Sequence, residues 1–370
     1  MLKRVSIQNF KSLKDVTLDL QKVNLLIGPN NSGKTNFLKA LEYFQHRIDL
    51  QPYSFEDFDR LQYKYRKDYE IKVELTKPLV NGTFIHASVF NNPHFKDSTI
   101  TYCQSEDVDQ ANRITHTVYR LGDNFANTEN LTDKSFHFAD MKAFVGDVRI
   151  YRLEPSAIAN LNELNPDEYV YDNASNLTSF ILNLGQNNRQ VLDEIETQLA
   201  ESVGDIIGVA SPTVKTNNGA KLRLRLFDRS GNDFWADEVS EGVLYFLALL
   251  CIIHQPNPPK LLLLEEPEKG IHPRRIEEVI NFIFGLVDDK DVQVIMTTHS
   301  PAVVDMFKDM PESVFIFDKD EEGATHVKNL QKDIIEPETE ESERLGIDPP
   351  QYLNGLGEAW KVGFIGGVPR

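Results

Sequence analysis

Residues Gly28 to Thr35 of this 370-residue chain read GPNNSGKT, and this short motif is the strongest indication of its fold. It matches the pattern G-x-x-x-x-G-K-[ST] at every position. The apolar segment VNLLI at 23–27 precedes it, and FLKALEYF at 37–44 follows it with apolar residues at helical spacing. Strand, glycine-rich loop and helix, in that order, are the context this pattern requires, so a chance glycine turn is a poor alternative.

The side chains of this loop have the chemistry of a nucleotide site. Glycines let backbone amides turn toward phosphate oxygens, and the start of the helix adds partial positive charge. Lys34 is expected to reach the β- and γ-phosphates of ATP, and the Thr35 hydroxyl to bind Mg²⁺. The predicted nucleotide-binding residues here are Gly28, Asn30, Asn31, Ser32, Gly33, Lys34, Thr35 and Asn36.

A second stretch, KLLLLEEPEKGIHP at 260–273, places two carboxylates at the end of an apolar run. Four leucines without a polar break are typical of a strand buried on both faces. A buried carboxylate usually has a partner or a metal, and in P-loop ATPases that cation is magnesium. We therefore expect Glu265 to support Mg²⁺ and Glu266 to polarise the attacking water. Two glutamates at a solvated strand end are the simpler alternative.

Composition limits the classes of function. The chain has 39 basic and 57 acidic side chains and a net charge of −18, which argues against coating nucleic acid through bulk positive charge. A local basic groove stays open. Two cysteines cannot make a disulfide framework, and the longest apolar run, 243–253, is shorter than the ~20 residues of a membrane span. We expect a cytoplasmic protein with no membrane partner.

The remaining sequence predicts an interrupted nucleotide-binding head. Residues 69–120 alternate as strands around the turn pair Asn81-Gly82, and 173–204 have helical spacing. Leu222, Leu224 and Leu226 alternate as one strand, and Pro273 suits the first turn of a helix. The predicted division is a discontinuous head at 1–68 and 236–320, an inserted β-rich and helical subdomain at 69–235, and a C-terminal acidic segment and apolar tail at 321–370.

Two acidic regions near the C-terminus need separate interpretations. The cluster of Asp318, Asp320, Glu321 and Glu322 follows the strand-like SVFIF, and a hairpin turn explains it better than a nuclease metal site. The stretch 330–350 is acidic and contains prolines, so it is expected to be a solvated linker or surface arm. The ending GLGEAWKVGFIGGVPR could dock on the head or on a partner.

The chain resembles the ABC-type ATPase heads of the RecF, SMC and OLD-like AAA group. Five landmarks carry the resemblance, in order along nearly the whole chain: IQNFKSLKDVTLDL, GPNNSGKT, VSEGVLYFLALL in the place of the ABC signature, LLLLEEPEKGIHP, and TTHSP in the place of the switch histidine. The first, second, fourth and fifth are fairly specific. The resemblance implies an α/β P-loop NTPase fold that binds ATP and Mg²⁺.

The resemblance also implies roles for particular residues. Ser240 and Gly242 would contact the γ-phosphate held by a partner subunit, so that two copies form a homodimer around ATP. Glu266 would be the catalytic base, and His299 would sense the γ-phosphate. The signature reads Ser-Glu-Gly where transporter ATPases have Ser-Gly-Gly, which leaves the role of Glu241 open.

Further positions are implied less directly. The loop Gly270–His272 would cross the dimer interface, and Asn9, Lys11 and Ser12 would lie near the nucleotide. His272 stands where the family usually has an aspartate, and Glu265 replaces the usual aspartate of the strand end. No glutamine marks the loop that links the metal to the inserted subdomain, although 151–155 is a candidate for that hinge.

The function that follows is ATP hydrolysis coupled to association of two heads. The closed heads would engage nucleic acid or license a separately encoded effector protein, in antiviral defence or DNA repair. An ATPase subunit of a membrane transporter and a self-contained OLD-like nuclease are the alternatives. The first is weakened by the Ser-Glu-Gly signature, and the second by the 71 residues that follow His299, too few for a nuclease domain and the rest of the head.

Overall fold

The structure is a computed structural model that describes residues 2–48, 69–79, 83–92, 97–105, 117–121, 148–217, 219–269, 271–290 and 292–368. The chain falls into two compact units. The first contains Met1–Val148, Lys260–Leu263 and Val292–Arg370, and the second contains Arg149–Pro259 and Leu264–Asp291. Each unit is discontinuous in sequence, because the chain leaves the first unit and returns to it twice.

The strands are β1 (Leu2–Phe10), β2 (Leu13–Asp19), β3 (Val23–Ile27), β4 (Tyr69–Leu79), β5 (Thr83–Asn92), β6 (Asp97–Ser105), β7 (Thr117–Leu121), β8 (Val148–Tyr151), β9 (Ile206–Ala210), β10 (Thr213–Thr216), β11 (Gly219–Leu222), β12 (Arg225–Asp228), β13 (Asp233–Trp235), β14 (Leu261–Glu265), β15 (Gln293–Thr297), β16 (Val314–Lys319) and β17 (Thr325–Asn329). The helices are α1 (Lys34–Ile48), α2 (Pro155–Ile158), α3 (Leu177–Asn187), α4 (Arg189–Val203), α5 (Glu241–His254), α6 (Pro273–Lys290), α7 (Pro301–Asp305), α8 (Glu336–Leu345) and α9 (Leu356–Lys361).

One six-stranded sheet has the order β17-β16-β3-β15-β14-β8. β15 and β16 run parallel to β3 on either side of it, and β17 is antiparallel to β16. Every residue of β3 and β15 is buried, as are the four leucines of β14. Strands covered on both faces require such continuous apolar runs. The prediction of an α/β fold with buried strands at VNLLI and LLLL is therefore confirmed.

The second six-stranded sheet is antiparallel, in the order β2-β1-β4-β5-β6-β7. A tight connection joins β1 to β2, since Phe10 pairs with Leu13. Alternation in 69–120 thus predicted strands correctly at β4 to β7. The expected turn at Asn81-Gly82 lies outside the described residues.

In the second unit, helices pack with small sheets. α5 is apolar on all sides, and its residues 242–253 are buried, which explains its lack of an amphipathic pattern. The helical prediction for 173–204 is confirmed as α3 and α4, with residues 173–176 forming a turn before them. The β13-β12-β9 sheet and the β10-β11 ribbon complete this part of the chain.

The prediction of one strand through Leu222, Leu224 and Leu226 is wrong. All three leucines are buried, but β11 ends at Leu222 and β12 begins at Arg225. The backbone changes partners between them: Leu222 pairs with Asn162, and the Arg223 amide donates to the carbonyl oxygen of Pro212 at 3.1 Å. The three leucines are therefore buried in alternation, as predicted, although the strand is interrupted at residues 223 and 224.

The acidic C-terminal region is more ordered than its composition indicates. The hairpin interpretation is confirmed, because β16 and β17 pair around a turn in which the Ala324 amide donates to Asp320 Oδ1. Of the two expectations for 330–350, the linker does not hold, because α8 forms there and Ile334 and Ser342 are buried. Most of the stretch is exposed, which agrees with a solvated surface arm. Pro337 lies in the first turn of α8, where its missing amide is tolerated. Within the described ranges, no helix is long and apolar enough to cross a membrane.

Candidate nucleotide site

In the loop between β3 and α1, each of two glycines lies in close contact with a different neighbouring strand. Gly28 has φ +144°, and a Cβ placed there would lie 2.2 Å from the carbonyl oxygen of Phe317. Gly33 has φ +112°, and its Cβ would lie 2.3 Å from Oγ1 of Thr325. Neither space nor backbone conformation permits a side chain at these positions. These two positions therefore hold the loop close to β16 and β17 as it leads into the first turn of α1.

Lys34 is buried within this loop. Its Nζ donates hydrogen bonds to the carbonyl oxygens of Gly28, at 2.7 Å, and Pro29, at 3.0 Å. Only 5% of the residue is exposed. A buried ammonium needs acceptors, and the loop carbonyls supply them. The cation is therefore fixed inside the loop, where phosphate oxygens could take the place of these acceptors.

Ser32 carries a buried hydroxyl, whose Oγ has no hydrogen-bond partner among the described residues. A buried hydroxyl without a partner is costly, and a bound anion would satisfy it. Asn30 and Asn31 are exposed, while Thr35 and Asn36 are half-buried in the first turn of α1. The glycine cradle, Lys34 and this hydroxyl fit a phosphate group.

A hydrogen-bond network secures the end of the loop. Thr325 Oγ1 donates to the carbonyl oxygen of Ser32 at 2.8 Å and lies 2.8 Å from Ser12 Oγ. Asn36 Nδ2 donates to the same Ser12 oxygen at 2.8 Å. The Thr325 amide donates to the Ser12 carbonyl, also at 2.8 Å. Ser12 thus lies beside the phosphate loop, and Thr325 supports it from β17, a role that no sequence pattern indicated.

Two further lysines belong to the same unit. Lys319 Nζ donates to Asn31 Oδ1 at 3.1 Å, and burial lowers the pKa of Lys319. Burial, followed by repulsion from Lys39, also lowers the pKa of Lys11. Lys11 lies in the β1–β2 connection with φ +50°, next to Ser12. Lys319 was not predicted, because its position depends on the pairing of β16 with β3.

His299 follows β15 at the edge where the phosphate loop follows β3. Thr297 pairs with Leu26, and the Thr298 amide donates to the Leu26 carbonyl oxygen at 3.3 Å. Gly28 and His299 each come two residues after this pair. Since neighbouring parallel strands end at a common edge, both residues lie at the same edge of the sheet. His299 is exposed, and α7 begins directly after Ser300.

In the second unit, Glu265 forms a bidentate ion pair with Arg152. Arg152 Nη2 donates to Glu265 Oε1 at 3.2 Å, and Nε donates to Oε2. The Glu265 side chain is 15% exposed and that of Arg152 is 47% exposed. The carboxylate at the end of β14 therefore has a cationic partner from the segment after β8, within the stretch that was a candidate for the hinge. Sequence patterns did not indicate this partner.

Glu266 adopts an uncommon backbone conformation, with φ +48°. Non-glycine residues in this region carry a cost of roughly 1–3 kcal/mol and are often associated with functional sites. The turn that follows is closed by the Lys269 amide, which donates to the Glu266 carbonyl oxygen at 2.9 Å. Gly270 lies outside the described residues, and His272 Nδ1 accepts from the Arg274 amide at 3.3 Å. His272 thus caps the first turn of α6.

The signature region lies at the start of α5. Ser240 is exposed, and its side chain makes no capping hydrogen bond to the helix. A simple side-chain cap therefore does not explain this serine. Gly242 is buried, and a Cβ there would lie 3.3 Å from Cδ of Arg275, so the glycine makes room for the arginine stem. Ser240 and Arg275 line one open cavity together with Arg229.

The acidic hairpin uses its side chains locally. Asp320 Oδ2 lies 2.9 Å from His326 Nε2, and this contact lowers the pKa of Asp320. Among the described residues, no group of three or more histidines, cysteines and carboxylates is arranged to hold a metal. The carboxylates considered for magnesium, at positions 265 and 266, belong to the strand end described above.

Two family models match this chain. The model described as "AAA ATPase domain" matches residues 1–149, and the model described as "AAA domain, putative AbiEii toxin, Type IV TA system" matches residues 171–305. An OLD nuclease of Thermus scotoductus is 22% identical over 324 residues, which are 83% of this chain. The chain spans 60% of the length of that nuclease. An ATP/GTP phosphatase of Helicobacter pylori is 23% identical, with 83% of this chain and 87% of that protein covered.

Solved structures show the same fold. The SMC head bound to the C-terminal winged-helix domain of ScpA superposes with a TM-score of 0.54 and 13% identity, covering 90% of this chain and 99% of that one. The SMC head domain of Thermotoga maritima gives a TM-score of 0.50 at 14% identity, with 89% and 98% covered. Residues 1–149 and 171–305 therefore match models of AAA ATPase domains, the chain is a distant relative of an OLD nuclease, and its α/β fold is that of SMC ATPase heads.

Proposed function

We propose that this protein binds and hydrolyses ATP, that two copies close around the nucleotide, and that closure engages nucleic acid or licenses a separate effector protein in antiviral defence or DNA repair. The observation that carries the proposal is the loop at 28–35, where buried Lys34 and the unsatisfied Ser32 hydroxyl converge in a glycine cradle. The names of the relatives, an OLD nuclease and an ATP/GTP phosphatase, are consistent with it.

The phosphates of ATP would be held by the loop and by Lys34. Magnesium, when bound, would neutralise phosphate charge, and the Thr35 hydroxyl and Glu265 carboxylate are the groups proposed to hold it. Their oxygen chemistry suits this hard cation. Glu265 is paired with Arg152, so a cation at this carboxylate would have to share it with the guanidinium.

The proposed chemistry rests on Glu266 and His299. Glu266 would accept a proton from the attacking water, a contribution of ~10²–10⁴-fold for a positioned base. His299, at the edge where β3 and β15 end, would contact the γ-phosphate. The constrained backbone of Glu266 supports the assignment, because such a conformation fixes the direction in which its carboxylate leaves the chain.

The second copy would complete each site through Ser240, Glu241 and Gly242. The exposed Ser240, which makes no cap on its own helix, supports this role. An isologous pair of heads would then contain two identical composite sites. The SMC-head fold is consistent with such closure, since it is the fold of ATPase heads.

The direct test is nucleotide binding and turnover by the purified chain. Labelled ATP with Mg²⁺ should bind, and phosphate should be released. Lys34→Ala should abolish binding, because it removes the buried cation. Lys22→Ala is the matched control, since Lys22 is exposed just before β3 and should leave binding unchanged. Equal ATP affinity in the Lys34→Ala protein and its parent would contradict the proposal.

A further inference from the structure

The C-terminal segment 356–368 has one face fixed on the unit that contains the phosphate loop. At its start, the Gly357 amide donates to Asp305 Oδ1 at 2.7 Å. A Cβ on Gly357 would lie 2.2 Å from the Pro301 carbonyl oxygen, so the backbones of α9 and α7 touch. Because α7 begins two residues after His299, this contact places the C-terminal segment on the helix that follows the histidine proposed to contact the γ-phosphate.

A second anchor lies behind the phosphate loop. Trp360 is buried, and its indole N–H donates to the carbonyl oxygen of Gly367 at 3.0 Å. A Cβ on Gly367 would lie 2.6 Å from Cγ2 of Ile316 and 3.5 Å from Cα of Gly28. The tail therefore packs against the first glycine of the phosphate loop. Two separate contacts connect this segment to the nucleotide site.

The other face of the segment is apolar and open. Val362 is 60% exposed and Phe364 is 72% exposed, and both line a groove with Tyr352 and Ala359. Leu345 and Ile347, shortly before the groove in sequence, are also 60% exposed. Of the eight large apolar residues that are exposed in the described part of the chain, these four fall within 20 positions. Single exposed apolar residues are ordinary, but Val362 and Phe364 line one groove together, and contiguous apolar surface of this kind marks an interaction site.

Acidic side chains border this surface. The Tyr352 hydroxyl, in the groove, donates to Glu338 of α8 at 2.6 Å. Residues 331–350 contain seven acidic and two basic side chains, and most of them are exposed. A second copy of the chain would bring the same negative charge to the contact, which disfavours self-association there. A segment with apolar residues and positive flanks would complement both the groove and its border.

We propose that the surface formed by residues 338–364 is the docking site for a separately encoded protein, which presents an apolar segment flanked by lysine or arginine. The inference rests on the proposed function, in which closure licenses a partner, and it names where and by what chemistry that partner binds. Because the same segment contacts α7 and Gly28, any effect of partner binding on ATP affinity would be matched by an equal effect of ATP on partner affinity.

Photocrosslinking inside cells of the organism that naturally produces the protein tests the docking site. Phe364 is replaced by p-benzoylphenylalanine in the full chain, and Leu161, which is 46% exposed in the second unit, receives the same replacement as the control. We expect a crosslinked partner at position 364 that is absent at position 161. Peptide mapping should place the crosslink in an apolar segment with lysine or arginine on its flanks.

Charge reversal tests the complementarity. Glu340→Lys with Glu343→Lys, both exposed on α8, should reduce the crosslink yield at least severalfold. Glu201→Lys with Asp288→Lys changes net charge equally at exposed positions of other helices and should leave the yield unchanged. Crosslinks to the chain itself, a yield at 364 no greater than at 161, an acidic captured segment, or equal loss in both charge variants would each overturn the inference.

A purified-protein measurement separates this inference from the proposed function. Val362→Ser with Phe364→Ser should keep the parent's melting temperature and ATP turnover, because both side chains are exposed. The same variant should lose the crosslink when the probe is moved to position 352. If the parent does not hydrolyse ATP, the proposed function fails, whereas the crosslinking outcomes still decide whether the surface binds a basic, apolar segment.

Discussion

The guanidinium of Arg152 donates hydrogen bonds to both carboxylate oxygens of Glu265, although the two residues are 113 positions apart in the sequence. This pair sets the first prediction, which concerns magnesium. Glu265→Gln should raise the Mg²⁺ concentration needed for half-maximal turnover, since a supporting charge is lost. Arg152→Ala should lower it severalfold, because the competing cation is removed from the carboxylate.

Magnesium titration of ATP turnover measures both effects. Arg189→Ala serves as the control, because Arg189 also pairs with carboxylates but on the exposed surface of α4. If Glu265→Gln lowers turnover while the magnesium midpoint stays constant, the metal-supporting role must be assigned to another residue.

Glu266→Gln should bind ATP with near-parental affinity and hydrolyse it ~10²–10⁴-fold more slowly, because the amide cannot accept the proton. Single-turnover measurements with ATP and Mg²⁺ give the rate. Glu277→Gln, at an exposed position of α6, is the matched control. Turnover within a few-fold of the parent would remove Glu266 from the base assignment.

Glu266→Gly tests the backbone at the same position. Glycine usually costs roughly 0.5–1 kcal/mol relative to other residues, because it loses more freedom on folding. At φ +48° this cost should be offset by relief of the left-handed conformation, so the free energy of unfolding should not fall. Denaturant titration measures it. A loss typical of other glycine substitutions would show that the backbone at Glu266 is not constrained.

Thr325→Val should weaken ATP binding from a distance. The change keeps the size of the side chain but removes the hydrogen bonds to Ser32 and Ser12, at a cost of about 1–3 kcal/mol of stability for the groups left unsatisfied. Thr17→Val is the control, because its hydrogen bond to Ser6 is exposed. Calorimetric titration with ATP should show a larger dissociation constant for Thr325→Val alone.

The thiol of Cys251 should be inert in the folded protein. Complete burial raises its pKa well above the usual range, so the thiolate is scarce and inaccessible at pH 8. In a Cys103→Ser variant, a disulfide reagent such as Ellman's reagent should react only after denaturation. Rapid modification of the native variant would mean that α5 is more accessible than its packing indicates.

Subunit mixing tests the shared site. Lys34→Ala and Ser240→Arg should each be inactive, and random exchange should make half of the dimers mixed. Each mixed dimer has one site with both changes and one with neither, so about a quarter of parental turnover should return if the sites act independently. A native-gel exchange assay confirms mixing. Parental turnover by a species that light scattering shows to be monomeric would exclude the shared site.

The sequence alone was sufficient for the local elements. The strand, loop and helix around GPNNSGKT, the buried leucines of β14, and α5 follow from short-range patterns of apolar residues and glycines. Pro273 likewise begins α6, as its fixed φ predicts. These features are predictable because an element buried on all sides needs a continuous apolar run, and a loop with unusual φ angles needs glycines at fixed positions. Both signals lie within a few neighbouring residues.

Contacts between residues that are distant in sequence became visible in the folded chain alone. Thr325 reaches Ser32 across 293 positions, and the tail glycine Gly367 packs on Gly28. Such pairs depend on strand order and on the path of the C-terminal segment, and neither leaves a periodic pattern in the sequence. The same reason explains why α8 was not predicted: its sequence is acidic, and the residue that it buries is Ser342, so it has no apolar stripe for a sequence pattern to show.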